Sequence, residues 1–247
     1  MNDHETPQAE ALRLVQARFP YALGALLGGS AAHGRATPTS DLDVAILLPD
    51  SDADSGSDTS RREVVRHGGR LAELFLNTLA GVPEFFAWDR ARRRGTVLFL
   101  YDQGVPLTDP FGHVARTRQL AREALASGPP PLTEAEREHG RYVLTCFMDD
   151  LIDTPASDRY EQLALADHAL SKAVHLLTAH HNAWTGIGKW LPRRLLDADP
   201  VRGKALLDGQ LAVAERADPG PLTAAVEEVL GLLGGPLREG YAHAWSP

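Results

Sequence analysis

The sequence predicts an α+β protein in two parts: a mixed β-sheet flanked by helices, followed by an α-helical bundle. Three observations carry this reading. In the first half, short apolar runs of strand length alternate with amphipathic stretches. At "ASGPPPLT" (Ala126–Thr133) three prolines and a glycine break all periodicity. Beyond that break every long segment has helical spacing. The expected domains are therefore residues 1–127 and 128–247, and a chain of 247 residues is long enough for both.

The elements follow in order. "TPQAEALRLVQARF" (Thr6–Phe19) is an amphipathic helix, with Leu12, Val15 and Phe19 at helical spacing. "ALGALLG" (Ala22–Gly28) is a short strand, and "DLDVAILL" (Asp41–Leu48) is a near-continuous apolar one, as suits a strand covered on both faces. "PDSDADSGSDTS" (Pro49–Ser60) is a polar loop. Its acids resemble a calcium loop, but the glycine comes one place late and the closing Glu is missing. "RREVVRHGG" reads as a helix ending at glycine, "RLAELFLNT" (Arg70–Thr78) as a strand, "PEFFAWDRARRRG" as a helix and "TVLFLYD" (Thr96–Asp102) as a final strand. About four strands are expected.

In the second half, Thr133 and Glu136 fit a capping box that opens a helix. "EAEREHGRYVLTCFMDDLID", "SDRYEQLALADHALSKAVHLLTAHHNAW", "DPVRGKALLDGQLAVAERA" and "PLTAAVEEVLGLLGG" make four or five helices of a bundle.

Composition limits the function. The formal net charge of -8 argues against nucleic acid as a partner, because phosphate contacts need clustered Lys and Arg. A single cysteine, Cys146, precludes an intramolecular disulfide and suits a reducing cytoplasm. The opening "MNDHETPQAEALRL" lacks a signal-peptide core, and no apolar run approaches a membrane span. The ten histidines complete no zinc pattern. A cytoplasmic protein without a membrane partner is expected.

The chemistry concentrates in "GGSAAHGRATPTSDLDVAILL" (Gly28–Leu48). Residues i and i+2 of a strand share a face, so Asp41 and Asp43 project side by side, ~6.5 Å apart along the backbone. Two unpaired carboxylates beside an apolar sheet repel, and a divalent cation relieves them. Hard oxygen ligands with open positions suit Mg²⁺ bridging to a phosphate, and two such ions can clamp an in-line phosphoryl displacement. Gly29 lets the backbone approach a phosphate closely, and Ser30 offers it a hydroxyl and an amide.

"GSAAHGRATPTSDLDV" resembles the signature of the DNA polymerase β-like nucleotidyltransferase superfamily. The matching residues are Gly29, Ser30, Gly34, Ser40, Asp41 and Asp43, followed by an apolar strand. The motif spans only about sixteen residues. The α-helical second half makes the chain similar to the small-molecule branch, such as the aminoglycoside nucleotidyltransferases. The resemblance implies an N-terminal nucleotidyltransferase domain and an acceptor- and nucleotide-binding helical domain. The implied activity is Mg²⁺-dependent, with two ions: NMP, from ATP or another NTP, passes to a hydroxyl of a small acceptor, and pyrophosphate is released.

It also implies a third metal-binding carboxylate on a neighbouring strand. Glu73 is the acid in a strand-like apolar run there, while Glu63 and Glu84 sit on expected helices. In "WTGIGKWLPRRL" (Trp184–Leu195) a Gly-rich turn presents Lys189, with Arg193 and Arg194 following; the resemblance makes Lys189 a triphosphate contact. "FMDDLID" (Phe147–Asp153) puts Asp149 and Asp153 on one helix face, able to bind a cationic acceptor or take its hydroxyl proton. Asp149 is the candidate base by the same resemblance. Two other classes stay open: a toxin–antitoxin-type enzyme modifying a protein or tRNA, and a nucleotide-binding protein without turnover.

Overall fold

The computed structural model describes residues 6–37, 39–50 and 60–244. The chain divides into two compact units, Met1–Ser127 and Gly128–Pro247.

The first unit is a five-stranded mixed sheet with helices around it. Helix α1 (Pro7–Arg18) starts where the Thr6 side chain accepts from the Ala9 N–H and Pro7 takes the first turn. It buries Ala11, Leu14 and Val15. Then come β1 (Gly24–Leu27), the single turn α2 (Gly29–Ala32), β2 (Leu42–Leu48), β3 (Ser60–His67) and β4 (Arg70–Thr78). Helices α3 (Gly81–Ala91) and α4 (Thr96–Gln103), strand β5 (Val105–Thr108) and helix α5 (His113–Ala126) complete the unit. The sheet order is β3-β4-β2-β1-β5. Strands β2 and β4 run parallel, while β1–β2, β1–β5 and β3–β4 are antiparallel. Every residue of β2 is buried except Asp43, which is half-buried. The apolar run of β2 is thus the centre of the sheet, as expected of a strand covered on both faces.

Two segments depart from the sequence reading. The stretch read as a helix ending at glycine is strand β3, and Gly68 and Gly69, with φ of +57° and +84°, form the two-residue turn of a hairpin into β4. Two successive residues with positive φ are what a type I′ turn requires. Glu63 accordingly lies on a strand, in ion pairs with Arg18 and Arg61.

The stretch read as a final strand is helix α4. Its start is capped from a distance: buried Asp89, on α3, accepts from the backbone N–H groups of Thr96, Val97 and Leu98. Burial pushes the Asp89 carboxyl above its usual range, against the pull of those three donors. Strand β5 and helix α5 lie in a stretch to which the sequence reading gave no element; α5 is held at its start by Asp109, which accepts from Val114 and Ala115. The polar loop Pro49–Ser60 falls largely on residues 51–59, outside the described residues.

The second unit is a helical bundle. It contains α6 (Glu134–Asp153), α7 (Arg159–His180), α8 (Trp190–Ala198), α9 (Pro200–Arg216) and α10 (Gly220–Leu232). The capping box of Thr133 and Glu136 forms in both directions. Leu144, Met148, Leu170, Val174, Leu206 and Val229 belong to the core of this unit. Among the described residues no helix is long and apolar enough to cross a membrane.

Candidate active site

The site is assembled by strand register. Leu42 and Val44 are fully buried on one face of β2, which leaves Asp43 on the other. Asp41 immediately precedes the strand. The parallel pairing of β2 with β4 sets Glu73 directly beside Asp43. Carboxylate oxygens of Asp41, Asp43 and Glu73 lie within 4.8 Å of one another. Glu73 is the buried member of the group, and Asp41 and Asp43 are more exposed.

Three carboxylates this close repel unless a cation sits among or beside them. Glu73 has such a partner in Arg62, which extends from β3 and forms an ion pair with it. The Arg62 guanidinium also lies 5.4 Å from the centre of the Phe75 ring. The donor set consists of hard oxygens from three clustered acids. That chemistry fits a divalent cation of the Mg²⁺ class.

The turn before β2 is built against the same group. The Gly28 N–H donates to the Asp43 carbonyl at 2.7 Å, tying turn to strand. Gly29 has φ +62°, and a Cβ added there would stand 1.8 Å from Asp43 Oδ2. Glycine is therefore required twice over, by conformation and by space. The Ser30 hydroxyl donates to Ser40 Oγ at 3.1 Å, and Ser40 Oγ accepts from the Thr37 N–H at 2.9 Å. Ser40 thus links the serine of the turn to the loop that leads into the acids.

Residues 9–85 match the family described as the nucleotidyltransferase domain, a stretch that contains the turn and all three acids. No curated protein matches the chain. Among solved structures it is similar to a nucleotidyltransferase-like protein from Exiguobacterium sibiricum 255-15, at 14% identity and a TM-score of 0.45, over 90% of this chain and 73% of that one.

The remaining candidate residues belong to the second unit. Lys189 is exposed and stands at the start of α8. The Arg193 and Arg194 guanidinium groups lie 4.9 and 5.3 Å from the Trp190 ring centre. This makes a basic cluster around one aromatic ring. On α6, Asp149 is gripped by both arms of the Arg238 guanidinium, with Nε to Oδ2 at 2.7 Å. That pair raises the Arg238 pKa further above its usual value. Asp150 and Asp153 are exposed.

Arg62 was absent from the sequence reading. The signal that would have found it is the Gly68-Gly69 pair. Read as a two-residue hairpin turn, it sets Val64 opposite Glu73 and places Arg62 on the same face.

Proposed function

We propose that the protein transfers a nucleoside monophosphate from an NTP, ATP in our reading, to a hydroxyl of a small cationic acceptor, with release of pyrophosphate. The observation that carries this is the convergence of Asp41, Asp43 and Glu73 within 4.8 Å, against a glycine turn, inside the stretch 9–85 that matches the nucleotidyltransferase domain family. The acceptor hydroxyl oxygen attacks the α-phosphorus, the bond to the β-phosphate oxygen breaks, and pyrophosphate leaves with that electron pair.

Asp41, Asp43 and Glu73 would hold Mg²⁺, two ions in this reading. When bound, the metal supplies charge neutralisation and orientation of the phosphates. Gly29 admits the polyphosphate to the backbone, and the Ser30 amide donates to it, joined by the Ser30 hydroxyl once its proton turns from Ser40 to the phosphate. Lys189 and Arg193 neutralise the triphosphate tail. Asp149 receives the proton of the attacking hydroxyl. In this reading residues 1–127 carry the metal site, and residues 128–247 contribute acceptor and nucleotide contacts and the base Asp149. The net charge of -8 favours a cationic acceptor such as an aminoglycoside, as in antibiotic resistance. The single cysteine is in keeping with a cytoplasmic place of action.

The test is transfer from α-labelled ATP with Mg²⁺ and a panel of aminoglycosides, other amino-sugars, neutral nucleosides, tRNA and protein, at low and high salt. Label is expected on a cationic small molecule, with transfer weakening as salt rises. Label on tRNA or protein would replace the acceptor class, and no label movement with any NTP would remove the activity.

A further inference from the structure

We propose that Arg62 is the internal counter-cation of the acidic cluster: it occupies Glu73 in the metal-free protein and competes with the metal for it. The inference rests on the reading that Asp41, Asp43 and Glu73 hold a divalent cation.

The argument starts from burial. Glu73 is only 9% exposed and has two further carboxylates within 4.8 Å. Such a group is strongly unfavourable as a bare anion. A cation at this point relieves that cost, and the β3–β4 hairpin supplies one. The antiparallel register sets Arg62 opposite Phe75 and Val64 opposite Glu73, so Arg62 is the diagonal neighbour of Glu73 on one face. Diagonal neighbours are within reach of long side chains. The guanidinium meets Glu73, and it also lies 5.4 Å from the Phe75 ring centre.

The two partners are unequal. The Arg62 side chain is 65% exposed, whereas that of Glu73 is 12% exposed. Arg62 stands on β3, an edge strand of the sheet, so its head can swing into water with little loss. Glu73 lies inside the sheet, between β2 and β3, and stays where it is. The pair is thus fixed on the acid side and exchangeable on the basic side. Glu73 would pass from Arg62 to a bound metal, with the Arg62 guanidinium turning to water. Apparent metal affinity is then lowered by the fraction of molecules in which Arg62 holds Glu73. Removing Arg62 should tighten metal binding while weakening the metal-free fold. A residue that only helped to bind the metal complex would have the opposite effect on affinity.

The experiment is a Mn²⁺ titration, followed by calorimetry and by the electron spin resonance of free Mn²⁺, with melting curves at zero and saturating Mn²⁺. Arg62→Gln is expected to bind Mn²⁺ about 3- to 10-fold more tightly than the parent. It should melt lower without metal, with the gap closing at saturation. Arg62→Lys keeps the charge and should fall near the parent. Arg62→Met, which retains an aliphatic chain over Phe75, gives the same readout if the Gln variant fails to fold. Asp43→Asn is the control for the metal reading and should lose at least about tenfold in affinity. Affinity unchanged or weakened in the Gln and Met variants, with Asp43→Asn still impaired, would overturn the competition while leaving the metal site intact. Parent-like binding by Asp43→Asn would remove the metal site itself, and the inference with it.

Discussion

In the first unit the acids expected to act together are brought together by the register of a sheet; in the second, the candidate residues sit on separate helices, and Asp149 and Arg193 have partners of their own. Asp43 and Glu73 are direct cross-strand neighbours, and Asp41 completes the group. Asp149 on α6 is engaged by Arg238, and Arg193 on α8 lies over Trp190. The difference lies in how each element transmits sequence spacing. A strand has period two, and pairing fixes its neighbour within one residue. On a helix, spacing fixes only which residues share a face; what that face meets depends on tertiary packing. Two acids at the head of a strand were therefore a sharper signal than three acids on a helix.

The comparison can be broken or sharpened by substitution, and the largest effect belongs to the sheet. Asp43→Asn is nearly isosteric but removes charge from the centre of the cluster. Transfer should fall by at least ~10³-fold with Mg²⁺, while the melting temperature holds or rises as a repulsive carboxylate disappears. Parent-like turnover would show that the cluster is not the catalytic centre. Glu73→Gln comes next, with a rate loss of at least ~10²-fold and little change in Tm at saturating metal. A variant that only melts lower, with a normal rate per folded molecule, would make Glu73 structural.

Gly29→Ala tests the turn. The added methyl group meets Asp43 Oδ2 at 1.8 Å, on a backbone with φ +62°. We expect about 1–2 kcal/mol of destabilisation in urea titrations, together with a rate loss of ~10-fold as Asp43 is displaced. Loss of stability alone would show that the turn supports the fold without positioning the acid. The smallest effect is expected in the second unit. Lys189 is exposed at the start of its helix, so Lys189→Ala should leave Tm unchanged. It should raise the KM for the NTP about 3- to 10-fold, with kcat nearly constant. An unchanged KM would remove Lys189 from the triphosphate contacts.

How much was legible followed the same division. The turn and strand around Asp41 and Asp43 could be read because several residue types had to coincide at fixed spacing. Strand β3 could not, because an edge strand buries little. Its two adjacent valines stand among arginines, and Val64 is 62% exposed, so no alternation of apolar and polar residues marks it. Gly68 and Gly69 then looked like a helix end rather than a hairpin turn. Misreading β3 hid Arg62, whose role follows only from its register against β4. Helix α4 failed for a different reason. Eight apolar-rich residues fit a strand or a helix equally, and the deciding contact is the cap from Asp89, contributed by another helix. The ion pair between Asp149 and Arg238 joins positions 89 residues apart and leaves no local trace.

The central claim is that Asp41, Asp43 and Glu73 form a metal site that serves an NTP. The most direct measurement is a crystal structure with a non-hydrolysable NTP and Mn²⁺, read by anomalous scattering. The account predicts Mn²⁺ peaks in contact with Asp41, Asp43 and Glu73, the triphosphate against Gly29 and Ser30, and Arg62 withdrawn from Glu73. Nucleotide bound elsewhere, with the Arg62–Glu73 pair intact and no Mn²⁺ at the acids, would contradict it.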